Sequence, residues 1–299
     1  MVDTSITSRV WLVTGCSSGL GLLLAKAALA RGDRVVVTAR KLESPDNTLI
    51  QSDNCRALAL DVAASQADLD EKASEAISHF GRIDVLVNNA GYVQSGVWEQ
   101  VGHEDVCHQL ETNVLGPLRL TRSVLPFMRQ QGSGKVIFIS SVAGWAGVAA
   151  GGPYSASKFA LEGAAECLQL EISQFNIETH LIVMGMFRTG VLSADRRKLD
   201  SANVSSEYAS IINAYSDRLK NADGKQPGDP HLAAECIADL ARREGHFKHR
   251  SDIPFRIFLG SDCFKTVQAK CRAMLKSLDD FKDLSCSTDF STDTKEAEL

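Results

Sequence analysis

Val10-Trp11-Leu12-Val13-Thr14-Gly15-Cys16-Ser17-Ser18-Gly19-Leu20-Gly21 decides how the rest of the chain is read. Its first four residues are an apolar run with strand formers, as in a strand buried on both faces. Small residues and glycines follow, and helix formers then run from Leu22 to Ala30 until Gly32 stops them. A strand that turns through glycines into a helix presents unpaired backbone N–H groups and the positive end of a helix dipole. Small side chains at such a turn let the backbone approach a pyrophosphate. The stretch therefore has the context of a dinucleotide-binding loop, with the spacing TGxxxGxG.

The same alternation continues downstream. Arg34 to Thr38 is a second buried strand, followed by Ala39-Arg40-Lys41. An acid at this strand end holds a ribose 2′-hydroxyl, whereas an arginine pairs with a 2′-phosphate. Arg40 stands there with no acid before it, so NADP(H) is the expected cofactor and NAD(H) the less favoured one. Residues 42–54 are polar, and Pro45, Asp46 and Asn47 leave room for a short helix at most. Arg56 to Leu60 is a third strand whose exit, Asp61, is placed to meet an adenine ring. An amphipathic helix over 67–80 ends at Gly81, and Val85 to Val87 is a fourth strand leading into Asn88-Asn89-Ala90-Gly91.

Residues 103–131 carry a helical pattern with Asn113 inside it and Pro117 after, which predicts a kink or a side chain kept for function. Lys135 to Ile139 is a fifth strand running into Ser140-Ser141. The small, glycine-rich stretch Val142 to Pro153 precedes a helix from Tyr154 to about Phe175, and Thr179 to Val183 is a sixth strand. Beyond residue 190 the chain turns polar, with helices predicted at 205–220 and 231–243, a seventh strand at Phe255 to Leu259 and a last helix over 262–284. The Ser/Thr/Asp/Glu-rich tail from 285 to 299 is expected to be disordered. The pattern predicts a single α/β domain over 1–299, a doubly wound seven-stranded parallel sheet with helices on both faces. Its core spans about 8–260, and a C-terminal helical extension follows.

Composition bounds the function. The 299 residues, 44% hydrophobic and 23% charged, suffice for one large core. Thirty-two basic against 37 acidic residues give −5 with no basic block, so neither nucleic acid nor a membrane is an expected partner. Arg9 and Ala28-Leu29-Ala30 loosely imitate a signal peptide, but Lys26 interrupts the apolar region, and no run reaches the ~18 residues needed to span a bilayer. Cysteines at 16, 55, 107, 167, 236, 263, 271 and 286 form no CxxC and suit reduced thiols in a cytoplasmic protein, with no metal site.

Tyr154-Ser155-Ala156-Ser157-Lys158 places a phenol and an ammonium one helical turn apart. Alone, this is no more than a packed ring and a solvated lysine. With the motifs before it, the chain resembles the short-chain dehydrogenase/reductase family over about residues 8–260. The residues that carry the resemblance are Thr14-Gly15-xxx-Gly19-x-Gly21, Asn88-Asn89-Ala90-Gly91, Asn113, Ser141 and Tyr154-xxx-Lys158, in order and in register. Ser140 is the neighbouring alternative to Ser141, which the spacing of thirteen residues to Tyr154 favours.

The resemblance implies a Rossmann fold and roles for these residues. Tyr154 is general acid or base, with Lys158 lowering its pKa and binding the nicotinamide ribose. Ser141 polarises a carbonyl, and Asn113 holds a relay water. Cofactor contacts fall to Gly15, Ser17, Gly19, Leu20, Gly21, Arg40, Asp61, Asn88, Ala90, Gly91, Tyr154, Lys158, Gly185 and Thr189. It also implies a homodimer or homotetramer, with Leu161, Ala164, Ala165, Leu168 and Ile172 of the Tyr154 helix as candidate apolar surface. One departure is Met184-Gly185, where many members have Pro-Gly. It puts a thioether near the reacting ring.

The cleft of such a fold would be lined by Tyr92, Ser141, Trp145, Val148, Tyr154, Met186 and Phe187 under a lid of about residues 186–230. That lining suits a hydrophobic or aromatic ketone, aldehyde or secondary alcohol. Imine or C=C reduction, a redox-neutral rearrangement, and a nucleotide-binding module without turnover remain alternatives at this stage. The run Asp195-Arg196-Arg197-Lys198 reads as a solvated face.

Overall fold

The computed structural model describes residues 8–42, 52–190, 197–199 and 205–290. The buried apolar runs form β1 (Val10–Val13), β2 (Arg34–Ala39), β3 (Cys55–Ala59), β4 (Val85–Asn88), β6 (Gly134–Ser141), β7 (Ile177–Met184) and β9 (Arg256–Leu259). They make one parallel sheet in the order β3-β2-β1-β4-β6-β7-β9. The order reverses direction between β1 and β4, and the crevice at their carboxyl ends is where ligands sit in sheets of this kind. A separate two-stranded ladder pairs β5 (Val93–Ser95) with β8 (Arg197–Leu199) and was not anticipated from the sequence. It takes up part of the run read as a solvated face; Asp195 and Arg196 lie outside the described residues.

Helices cover both faces: α1 (Gly19–Ala30), α2 (Gln66–Phe80), α3 (His103–Leu110), α4 (Gly116–Gln131), α5 (Gly152–Ile172), α6 (Ala209–Ala222), α7 (Pro230–Arg242), α8 (Ser261–Asp280) and α9 (Lys282–Cys286). Side-chain alternation along the strands sorts the core into two layers. Trp11, Val13, Val35 and Val37 pack with Leu24 and Ala28 of α1 and Ile237 and Ala241 of α7. Leu12, Val36 and Leu86 face the other way, onto Leu69, Leu120, Leu161 and Ala165. Leu161, Ala165 and Ile172 are therefore internal, which removes them from the expected subunit surface. Phe159 and Leu170 are the exposed apolar residues of that helix.

The predicted kink is a π-helical turn, Glu111–Leu115, joining α3 to α4, in which Gly116 N–H bonds the Glu111 carbonyl five residues back. Pro117 has no N–H to give the carbonyl of Asn113, four residues before it, so the ordinary register cannot pass this point. At the C-terminus the last helix breaks at Phe281, and α9 carries on to Cys286 with description continuing to residue 290. The tail expected to be disordered from 285 thus begins in a helix; residues 291–299 lie outside the described ones. All eight cysteines are free, and no helix among the described residues is long and apolar enough to cross a membrane.

Asp33, fully buried at the start of β2, ties one edge of the core together. It accepts Arg9 N–H at 2.8 Å and Trp11 Nε1–H at 2.9 Å, and pairs with Arg242 of α7. Asp33→Ala leaves a buried indole N–H and the Arg9 N–H without their acceptor, and the mostly buried Arg242 guanidinium with Glu244 alone. The expected loss is about 3–5 kcal/mol of unfolding free energy, measured in urea at unchanged slope. A loss under about 1 kcal/mol would show that the carboxylate is replaceable.

Candidate active site

Thr14, at the end of β1, fastens the glycine turn to the loop after β4. Its hydroxyl donates to the Val87 carbonyl at 3.2 Å and accepts Asn89 and Ala90 N–H at 2.9 and 3.0 Å. Asn89 Nδ2 returns bonds to the carbonyls of Thr14 and Gly15 at 2.8 and 3.3 Å. Space here is exhausted. A Cβ on Gly15 (φ +72°) would stand 2.9 Å from Ala90 Cα, and one on Gly21 2.5 Å from Asn89 Nδ2. Gly19 (φ +61°) opens α1 facing Thr189, whose Cβ would lie 3.7 Å from a side chain there. The first turn of α1 carries no acidic residue, so its dipole remains available to an anion.

Arg40 is exposed just past β2. Asp61 is exposed past β3, its carboxylate accepting Ala63 N–H at 3.0 Å. Ser17 and Leu20 are half-buried on the turn. Asn88 turns its side chain into the α4 layer, where it donates to Thr121 Oγ1 at 2.9 Å. Gly91 backs onto Asn113 Oδ1, which a Cβ would approach to 3.0 Å.

At the end of β6 the two serines part. Ser140 is buried and donates to Glu162 Oε1 at 2.7 Å. Ser141 accepts Ala143 N–H at 3.2 Å, and its hydroxyl favours the ionised form of the nearby Tyr154 phenol. Ser140 is thereby committed to Glu162, while Ser141 stays on the Tyr154 side. Tyr154, Lys158 and Glu162 follow at four-residue intervals along α5.

Lys158 is buried, donates to the Ile139 carbonyl at 2.7 Å, and has its Nζ 5.8 Å from the Tyr154 ring centroid. Burial pushes its pKa down to about 8, against the opposing pull of the Glu162 carboxylate. Burial raises the Tyr154 pKa, the Ser141 hydroxyl opposes that rise, and Tyr215 adds to it. Asn113 is likewise committed. Its Oδ1 accepts Tyr92 N–H at 3.2 Å, and its Nδ2 donates to the Tyr92 carbonyl and to Ser157 Oγ, each at 3.1 Å.

The substrate side differs most from the sequence reading. Trp145 packs away from the cleft, edge-on to Phe258 at 5.4 Å with Arg256 5.7 Å from its ring. Phe187 lies over Gly228, and Met184 is buried in the core. Val148 and Met186 are half-buried, and Tyr92 is half-buried with its phenol pKa raised by burial.

Tyr215 of α6 was not foreseen. Its hydroxyl lies 3.0 Å from Ser95 Oγ, and it influences Tyr154. It joins Tyr208, Ile212, Val97 and Ala150 in a small apolar cluster that seats α6 over the site. Tyr208, Ile212, Tyr215 and Leu219 recur at helical spacing, a signal that could have revealed this face.

Asp262 was also missed. Its Oδ2 accepts Met186 N–H at 2.8 Å, and a Cβ on Gly185 would stand 2.2 Å from its Oδ1. Gly185 is therefore required by the carboxylate of α8 as well as by any ligand. A separate groove lined by Arg122, Pro126, Leu168 and Phe175 lies between α4 and α5, away from all of these groups.

The family model of short chain dehydrogenases matches residues 9–200. A 3-ketodihydrosphingosine reductase from Bacteroides thetaiotaomicron is 38% identical over 80% of this chain and 86% of its own. Human retinol dehydrogenase 8 is 38% identical over 59% of this chain and 58% of its own. Among solved structures, a short-chain dehydrogenase from Streptomyces avermitilis superposes with a TM-score of 0.84 at 34% identity, covering 95% of this chain and all of that one. Two others at 21% identity share the fold: one from Burkholderia phymatum solved with NAD (TM-score 0.73) and one from Thermococcus sibiricus with 5-hydroxy-NADP (0.65). They cover 87% and 84% of this chain and 92% and 96% of their own. A sheet with its crevice at the glycine turn, a helical tyrosine one turn from a buried lysine, and this matched span place the chain in the short chain dehydrogenase family of oxidoreductases.

Proposed function

We propose that this protein is an NADPH-dependent oxidoreductase that interconverts a ketone or aldehyde and the alcohol of a hydrophobic or aromatic small molecule. The observation that carries the reading is Tyr154 beside the buried Lys158, whose Nζ stands 5.8 Å from its ring, with Ser141 nearby at the carboxyl end of the sheet. The cofactor, when bound, supplies or accepts the hydride. The backbone of the glycine turn and the α1 N-terminus suit its pyrophosphate, Arg40 its 2′-phosphate, and Thr189, across from Gly19, its carboxamide.

Ser141 and Tyr154 donate hydrogen bonds to the substrate oxygen, and Tyr154 passes it a proton as the oxyanion develops. The Lys158 ammonium stabilises the phenolate left behind. Because the Asn113 side chain is already bonded, its backbone carbonyl, which Pro117 cannot serve, is the group we assign to a relay water. The apolar cluster under α6 favours a hydrophobic substrate, and the ketodihydrosphingosine and retinol named for two relatives are of that kind. Free thiols at every cysteine fit a reducing cytoplasm. Exposed Phe159 and Leu170 suit pairing of subunits through α5.

Three measurements test this reading. Tyr154→Phe is expected to cut turnover at least ~10²-fold while NADPH titration by fluorescence is unchanged, and retained turnover would remove the acid–base role. Arg40→Ala should weaken NADPH about 10- to 100-fold and leave NADH alone; equal effects on both would make Arg40 a bystander.

The third is a pH profile. With its pKa held near 8, Lys158 loses its proton as pH rises through that value, so kcat/KM for reduction should fall along a limb there. Glu162 holds that pKa up, so Glu162→Gln should move the limb to lower pH. A limb that stays in place would disconnect Glu162 from the Tyr154–Lys158 pair.

A further inference from the structure

Helix α8 leaves the body of the protein with its apolar side uncovered. Cys263 and Val267 on its first two turns are buried in the core, and Cys271 is half-buried against the same layer. Around and beyond them, Phe264, Met274, Leu278 and Phe281 are 59%, 53%, 63% and 57% exposed, with Leu275 and Leu284 at 61% and 63%. Cys271, Met274, Leu278 and Phe281 follow one another at steps of three and four, the spacing of a two-helix seam, with Phe264 seven residues before Cys271.

Charge is divided along the same segment. Lys265, Lys270, Arg272 and Lys276 occupy its first part with no acid between Asp262 and Asp279. Asp279, Asp280, Asp283 and Asp289 occupy the second, with Lys282 among them.

The candidates to cover this seam can be separated by their chemistry. The chain's own last residues, Ser291-Thr292-Asp293-Thr294-Lys295-Glu296-Ala297-Glu298-Leu299, bring only Leu299 as a large apolar side chain. An anionic bilayer would meet aspartates beside Leu278, Phe281 and Leu284, where the apolar surface is greatest. A second α8 laid antiparallel meets neither objection. It sets the basic part of each helix beside the acidic part of the other, twice by symmetry, whereas a parallel pair would set like charges together.

We propose that α8 is a docking surface for a second copy of this chain, the two helices crossing antiparallel near Leu278. The apolar seam supplies the attraction, and the exposed charges fix direction and register. This contact is separate from the surface of α5.

The test is the mass of the full-length protein by light scattering across a range of concentrations. The wild-type assembly should lose half its mass on Leu278→Lys, an exposed position at which an unchanged melting temperature confirms folding. Lys270→Glu with Arg272→Glu should dissociate it likewise, and adding Asp279→Lys with Asp283→Lys to that chain should restore the full mass. A monomeric wild type, a mass indifferent to Leu278→Lys, or a four-site variant no better than the two-site one would overturn the proposal. So would recruitment of the wild type to phosphatidylglycerol vesicles that Leu278→Lys abolishes, which would assign the seam to lipid.

Discussion

A buried ammonium needs partners, and Lys158 organises much of this molecule by needing them. Its Nζ reaches the Ile139 carbonyl on β6 and lies within the influence of Glu162 one turn along α5. Glu162 is held in turn by Ser140 of β6 and by Arg256 of β9, at 2.7 and 2.8 Å. Arg256 stands 4.9 Å from the Phe255 ring and 5.7 Å from Trp145, and also pairs with Glu166. One polar chain thereby links two strands, the helix and the turn after β6. It fixes Ser140 in the interior and leaves Ser141, one residue on and across the sheet, to face Tyr154.

The crevice is shaped by a second constraint, the lack of room around the glycine turn. Thr14 and Asn89 close the ends of β1 and β4 on each other, so Gly15 and Gly21 tolerate no side chain even before a ligand arrives. The same economy governs Gly185, which is pressed by Asp262. A glycine in these motifs therefore records protein–protein contact as much as contact with a cofactor. That is why motif matching finds the site without explaining it.

Sequence periodicity was enough for the sheet, because parallel strands buried on both faces appear as continuous apolar runs and glycines mark where they end. It also marked where the π turn falls, as a kink or a side chain kept for function, since Pro117 makes the ordinary register impossible. Contacts between distant segments were not legible. Tyr215 meets Ser95 across 120 residues, and Asp262 meets Met186 across 76. Trp145 lies beside a glycine-rich cleft loop in sequence but is claimed by Phe258 and Arg256 of β9. The net shift of Tyr154 was not legible for a related reason. The spacing gives the neighbour, while the direction of the shift depends on burial, which only the fold supplies.

Burial also sets a cost that the site accepts. A lysine whose pKa falls from 10.5 to about 8 on folding binds its proton less firmly in the native state than in the unfolded one. Below about pH 8 both states are protonated and the whole penalty stands. Between about 8 and 10.5 the unfolded chain binds the proton that the folded chain has released, so this group's contribution to stability improves as pH rises. At neutral pH the fold is therefore working against its own lysine, and Glu162 limits the loss by favouring the charged form. The same low-dielectric surroundings that create the penalty strengthen the attraction between that ammonium and a phenolate one turn away.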